Sequence, residues 1–269
     1  MAFNANSVTA ALLSDGWAKI RLSEEQADRL TSLLNEATSF FGRPQAAKES
    51  CSSPDGNHGY RAMGREYSIT PDRPDVNESF SLWSDRLDLT SNHEELGSFG
   101  RSLLAWQETV TGISRAILGG LAEHFGSTDE LPFRTASSVQ INNYAVGPDS
   151  RECLQDRHED GHVLTLVHGT KPGLEIFVDG APRAIDTAQD ELLIMPGAIL
   201  SALTGDRIAP LYHQVRNLGL PGRQSVMYFV NPELDEPVRP WAGDSDDDLR
   251  EVIRNRPSAF GLPAVPTVK

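Results

Sequence analysis

An all-β core with flanking helices is the fold class that this 269-residue sequence predicts, and three observations carry the prediction. From Ser137 onward, short apolar and β-branched runs alternate with Gly and Pro breaks, a spacing that fits a sandwich or jelly roll. Before that point, two stretches repeat their apolar residues at helical spacing. The hydrophobic fraction of 39% and charged fraction of 23% are ordinary for a globular chain of one large domain or two small ones.

Taken in order, Gly16-Trp17-Ala18-Lys19-Ile20 reads as a first strand. Ser23-Glu24-Glu25-Gln26 is a capping box that opens a helix to about Phe40, with Leu30, Leu33, Leu34 and Ala37 on one face. Residues 42–90 are rich in Gly, Pro, Asp and Ser and read as loop, a lid over the pocket. Leu103, Leu104, Trp106, Val110, Ile113, Ile117, Leu121 and Phe125 then make the stripe of a long amphipathic helix packed outside a sheet. Strands are expected at 137–144, 163–168, 173–178, 191–195, 198–203, 211–215 and 224–230. Asp244-x-Asp246-Asp247-Asp248 reads as the first turn of a short helix through Asn255, where carboxylates complement the helix dipole.

The chain has 24 basic and 38 acidic residues, a formal charge of −14. That balance argues against nucleic acid or an anionic membrane as partner, since both need a basic patch. No apolar run approaches the length of a membrane span, and Met1 to Asn6 lacks the basic and apolar regions of a signal peptide. Two cysteines, Cys51 and Cys153, make no disulfide framework and suit a reducing compartment. A cytoplasmic protein with a small-molecule partner is the expectation.

Residues 158–162 read His-Glu-Asp-Gly-His, which spells two metal sites at once. As His158-Glu159-x-x-His162 it matches a zinc-hydrolase signature, which needs a helix to put both histidines on one face. As His158-x-Asp160 it supplies two thirds of the 2-His-1-carboxylate set that holds non-haem Fe(II), and an extended chain suits that spacing. Gly161 costs a helix interior about 1 kcal/mol, and the β-branched run from Val163 to Val167 favours a strand. A third ligand candidate, His213, shares a presumed strand face with Leu211 and Val215, an odd place for an imidazole without a partner. Arg223 and Ser225 then open a nearly all-apolar run, and a guanidinium there calls for an anion, best a planar carboxylate.

This set resembles the Fe(II)- and 2-oxoglutarate-dependent dioxygenases, in the branch related to isopenicillin N synthase and the plant hormone and flavonoid oxygenases. Their pattern runs His-x-Asp, a long gap, His, a short gap, Arg-x-Ser. Asn142-Asn143-Tyr144 matches the family's Asn-x-Tyr, and Gly197, Ala202, Leu203, Thr204, Arg207, His213 and Val215 match its second ligand stretch. Gly59-Tyr60 and Pro74-Asp75-x-Asn77-Glu78-x-Phe80 match weaker N-terminal signatures. Pro210, Gln214 and Thr204-Gly205-Asp206 depart from the pattern around the pocket rim.

The resemblance implies a double-stranded β-helix, a cupin-like jelly roll. It implies one oxygenase domain over 1–269, with a helical and lid part at 1–130, the jelly-roll core at 137–232 and a C-terminal segment at 233–269. It assigns Fe(II) to His158, Asp160 and His213, and 2-oxoglutarate to Arg223 and Ser225, assisted by Asn142 and Tyr144. O2 is then the oxidant, with succinate and CO2 as coproducts. Halogenating relatives lack the carboxylate, so Asp160 points to hydroxylation, desaturation or ring closure. Arg61, Glu66, Glu175 and Gln214 are the substrate candidates. The acidic balance and an aromatic fraction of only 7% suggest a polar natural-product intermediate, such as an amino sugar or aminocyclitol antibiotic precursor. A zinc hydrolase and a non-catalytic β-sandwich binding protein are the alternatives.

Overall fold

In the computed structural model, two antiparallel sheets enclose a cavity, and helices cover the outer face of the larger sheet. The structure describes residues 3–54, 56–86, 96–147, 151–242 and 247–255. The strands are β1 (Ala18–Arg21), β2 (Gly59–Arg61), β3 (Asn77–Trp83), β4 (Ser138–Tyr144), β5 (Cys153–His158) and β6 (Leu164–Gly169), followed by β7 (Leu174–Val178), β8 (Ala181–Ala184), β9 (Glu191–Pro196), β10 (His213–Arg216) and β11 (Arg223–Val230). The helices are α1 (Ala5–Ser14), α2 (Glu24–Phe41), α3 (Gln45–Glu49), α4 (Gly97–His124), α5 (Ala198–Leu203) and α6 (Arg250–Arg254). The larger sheet has seven strands in the order β1-β9-β6-β11-β4-β3-β2, the smaller four in the order β5-β10-β7-β8.

Strand alternation sorts the residues between two cores. On β11, Val226, Tyr228 and Val230 join the helix-side cluster, whereas Met227 and Phe229 join the cluster between the sheets. On β4, Val139 and Ile141 face the helices and Tyr144 faces the smaller sheet. Both faces of these strands are covered, which is why even their polar residues, such as Asn142, Gln224 and Ser225, are buried. Phe40 of α2 stacks on Phe99 of α4 at 4.7 Å and meets Phe80 of β3 edge-on at 5.2 Å. Such aromatic pairs add about 0.5–1.5 kcal/mol each beyond burial and fasten α2 and α4 to the sheet. The capping box of α2 is formed in both directions: the Gln26 amide nitrogen donates to Ser23 Oγ, and the Ser23 amide nitrogen donates to Gln26 Oε1.

Several expectations need correction. Residues 198–203 form α5, not a strand; a short, fully buried apolar run has no readable period, and Ala and Leu favour helix. The segment 42–90 is not simply loop, because it contains α3, β2 and β3. Phe80 and Leu82 of β3 belong to the helix-side core while Ser81 and Trp83 line the cavity, so its polar residues are buried too. Lys48 of α3 donates to Glu78 Oε2 at 2.5 Å, and Tyr60 of β2 donates to the same oxygen at 2.6 Å, which pins this segment to the sheet. Helix α1 and strands β5 and β8 were not anticipated: α1 has a weak stripe, β5 is mostly polar, and β8 is an exposed edge. The first strand starts at Ala18, two residues later than read. The acidic turn before Asn255 is shorter than read, with Asp248 accepting from the Arg250 amide at 3.1 Å and α6 starting at Arg250. Asp244 and Asp246 lie outside the described residues.

Candidate active site

The three metal-type side chains meet where the chain crosses between sheets. Strand β5 of the smaller sheet ends at His158, and β6 of the larger sheet begins at Leu164. The β5–β10 register sets His213 opposite His158, so the imidazole centroids lie 4.3 Å apart. Each Nδ1 faces a backbone carbonyl, Asp156 at 2.7 Å for His158 and Leu211 at 3.2 Å for His213. An Nδ1–H donated there leaves each Nε2 as a lone pair turned inward. The Nε2 atoms lie 3.7 and 3.8 Å from Asp160 Oδ1, and one ligand atom from each residue falls within 4.8 Å of the others. Burial, and next the neighbouring His213, hold the His158 pKa down at about 4, which keeps its imidazole neutral and able to ligate. Two imidazoles and a carboxylate on one side suit a divalent first-row metal.

The crossing segment is tied down by α5. The amide nitrogens of Gly197, Ala198 and Ile199 donate to the carbonyls of Val163, Asp160 and His162 at 3.1, 2.9 and 3.1 Å. These N–H groups have no partner inside the helix, so the loop and the helix end satisfy each other. A Cβ at position 197 would sit 2.1 Å from the His162 carbonyl oxygen, so only glycine permits this approach. The Thr165 hydroxyl donates to Asp160 Oδ2, fixing the carboxylate from the other side. No helix runs through 158–162, and the zinc-hydrolase face is therefore absent. His162 instead hydrogen-bonds Asn231 at 2.9 Å and stacks on Phe229 at 4.3 Å.

Arg223 is 2% exposed, and no carboxylate pairs with it among the described residues. Its Nη1 donates to Ser225 Oγ at 2.8 Å, its Nε to the Pro172 carbonyl at 3.3 Å, and its guanidinium carbon lies 4.7 Å from the Tyr144 ring centre. Gly169 and Gly173 leave room for it, since a Cβ on either would come within 3.4 Å of a guanidinium nitrogen. Burying such a cation without an anion is costly, and the planar fork is shaped for a carboxylate. The β4–β11 register puts Asn142 beside Ser225 and Tyr144 beside Arg223. Burial pushes the Tyr144 phenol up, so it stays a neutral donor, and it donates to Gln155 Oε1 at 3.0 Å.

One cavity of about 140 Å³ holds these groups together. It is lined by His158, Asp160, His213, Asn142, Tyr144 and Ser225, with Arg61 and Glu66 also on its wall. Glu175 and Gln214 are not on that wall; Gln214 Nε2 donates to Glu175 Oε2 at 2.7 Å, one step out of phase with His213 and Val215. Gln140, Gln155, Asp75 and Glu159 line the cavity without having been singled out as site residues. Gln140 was readable in principle, two residues before Asn142 on the same strand face.

Residues 136–232 match the family model of the 2OG-Fe(II) oxygenase superfamily. The chain is 23% identical over 206 residues to the 2-oxoglutarate-dependent dioxygenase FG08081 of Gibberella zeae, covering 71% of this chain and 61% of that protein. It is 22% identical over 215 residues to isopenicillin N synthase of Hapsidospora chrysogena, with the same 71% and 61% coverage. It thus spans about three fifths of the length of these two relatives. A 2OG-Fe(II) oxygenase family protein of Caulobacter crescentus superposes with a TM-score of 0.77 at 19% identity, over 94% of this chain and 92% of that one. Residues 136–232 thus match the 2OG-Fe(II) oxygenase superfamily, and the fold is the double-stranded β-helix of those oxygenases. Fe(II) and 2-oxoglutarate are the cofactors of that family. The donor set around Asp160 fits the first, and the anion-free guanidinium of Arg223 fits a carboxylate of the second.

Proposed function

We propose that this chain is an Fe(II)/2-oxoglutarate-dependent oxygenase, one domain over residues 1–269, that oxidises a small polar molecule with release of succinate and CO2. The observation that carries the reading is one cavity lined both by a two-histidine, one-carboxylate cluster and by Ser225 and Tyr144, the two side chains against which a buried, anion-free arginine, Arg223, is packed. With metal and oxoacid bound, the site supplies a decarboxylation-driven oxidation that removes hydrogen from a bound substrate.

The residues' own parts follow from their places. His158, Asp160 and His213 would hold the metal. Arg223 and Ser225 take the far carboxylate of the oxoacid, while Asn142 and Tyr144 flank it. Val167, Leu174 and Met227, on the same cavity wall, keep water from the bound oxoacid. Asp160 occupies the ligand position a halide would need, which favours hydroxylation, desaturation or ring closure over halogenation.

The finer reading concerns the substrate. A net charge of −14 raises the encounter rate with cations, which supports an amino sugar or aminocyclitol intermediate of antibiotic or other secondary metabolism, oxidised in the cytoplasm. The test is succinate release from 2-oxoglutarate with Fe(II) and ascorbate across a panel of small molecules. Substrate-stimulated release that vanishes in Asp160→Ala supports the proposal. Tight oxoacid binding with no release under any condition would instead favour a binding protein.

A further inference from the structure

We infer that the Arg61–Glu66 pair is the substrate-recognition element of this cavity, and that it selects a compact, neutral molecule presenting a hydrogen-bond acceptor beside a donor, as a cyclic amide does. The inference rests on the oxygenase reading for where oxidation occurs, and it departs from the cationic substrate that net charge alone favours, because the long-range field sets encounter rate while the pair's own bonding capacity decides what is held.

The pair is inside the protein, with each side chain 11% exposed and Arg61 Nη1 lying 3.2 Å from Glu66 Oε1. Arg61 is held rigidly: Nε donates to the Gly56 carbonyl at 2.8 Å, and Nη2 donates to Asn57 Oδ1 at 3.2 Å. A guanidinium has five N–H donors, and three are used, so one N–H on each terminal nitrogen has no acceptor among the described residues. Glu66 accepts from Arg61 and Gln140 on Oε1 and from Asn77 on Oε2, which leaves Oε2 with room for one more donor. The wall thus offers donors and an acceptor side by side, in a preorganised frame.

Charge decides what kind of guest. Arg61 and Glu66 cancel, so an ammonium drawn to Glu66 would also face Arg61, and a carboxylate drawn to Arg61 would face Glu66. Asp75 adds less negative charge than its type suggests. It is buried and accepts from Ser68, and burial, then the nearby Glu66, push its carboxyl up to about 7. A neutral amide meets both members of the pair at once. The site is within reach of the chemistry, because Glu66 and His158 line the same cavity. The cavity is also small, about 140 Å³, which favours a single ring over a large scaffold.

The experiment uses the wild-type chain with Fe(II) and 2-oxoglutarate under nitrogen and measures binding of three single-ring probes of similar size: 2-piperidone, piperidinium and cyclobutanecarboxylate. The expected result is that 2-piperidone binds about tenfold or more tighter than either charged probe. Glu66→Gln should reverse the order in favour of the carboxylate, and Arg61→Gln in favour of the ammonium. Equal binding of all three to wild type, or tightest binding of a charged probe, overturns the inference whether or not the variants fold. Binding of 2-oxoglutarate to the Fe(II)-loaded wild type is followed separately. If the oxoacid fails to bind while 2-piperidone keeps its advantage, the oxygenase reading falls and the recognition pair stands.

Discussion

The two faces of the larger sheet are made by the same strands, equally deep in the protein, yet they carry different chemistry. Toward the helices stand Val139, Ile141, Ile194, Val226 and Tyr228, each at most 1% exposed. The Tyr228 hydroxyl there is matched with Thr111 at 2.9 Å, and at the end of the same face Asn143 Nδ2 donates to Glu78 Oε1 at 3.0 Å. Toward the smaller sheet, apolar Val167, Met195 and Met227 share the face with five polar side chains, Asn142, Tyr144, Thr165, Arg223 and Ser225, each of these five at most 3% exposed. Burial alone therefore does not tell core from site. A buried cation without an anion, Arg223, and two imidazoles gathered on one carboxylate do, because such groups are costly unless a ligand completes them.

If that contrast is right, variants on the two faces should fail in different assays. The largest effect belongs to the cavity face: Asp160→Ala or His213→Ala should reduce oxoacid turnover to background and lower the metal bound per chain. Retained metal in both variants would break the comparison at its centre. On the helix face, Ile194→Ala should cost about 2–5 kcal/mol in urea unfolding and leave the 2-oxoglutarate affinity close to that of wild type. A large affinity loss there would mean that the faces are not separable.

Arg223→Ala removes a charge-assisted pair and should weaken 2-oxoglutarate binding about 100-fold with metal content unchanged, read by calorimetry. Asp75 sharpens the contrast through pH. Its folded pKa of about 7 lies above the ordinary carboxylate value, so the folded state binds the extra proton. Its contribution to stability is complete at low pH and is lost as pH rises toward 7. Between pH 5 and 8, wild type should lose about 2 kcal/mol relative to Asp75→Asn in urea midpoints, and parallel pH curves would remove Asp75 from the argument. The smallest effect is expected of His162→Ala, which gives up the Asn231 hydrogen bond and the Phe229 stack, about 1–2 kcal/mol, while metal per chain stays at the wild-type level.

Much of this was legible before any coordinates, and the exceptions share a cause. The capping box at Ser23, the stripe of α4 and the strands β4, β6, β7, β9 and β11 have local signals: a side chain three residues on, or an apolar run between breakers. His158, Asp160 and His213 were marked by spacing, and the fold brings their ligand atoms within 4.8 Å. Strand β3 was read as loop because its inward residues, Asn77, Ser79 and Ser81, look like solvent-facing ones. Helix α5 was read as strand because burial on all sides erases the period. Glu175 and Gln214 were expected at the pocket, yet their strands turn them outward to each other, a question of phase that rim position does not answer.

What the sequence by itself determined is residue type and local order: which stretches alternate, where a helix is capped, and that two histidines and a carboxylate stand at metal-binding spacing. What only the tertiary structure decided is which side of each strand faces which layer, and which distant side chains share a wall. Arg61 and Glu66 meet Gln140 there, 74 residues beyond Glu66, and the three terminal N–H groups around Ala198 find carbonyls in the crossing that carries Asp160. A two-residue period fixes that neighbours point oppositely but not which of them points inward. That choice is made by the packing of two sheets and the hydrogen bonds their register allows.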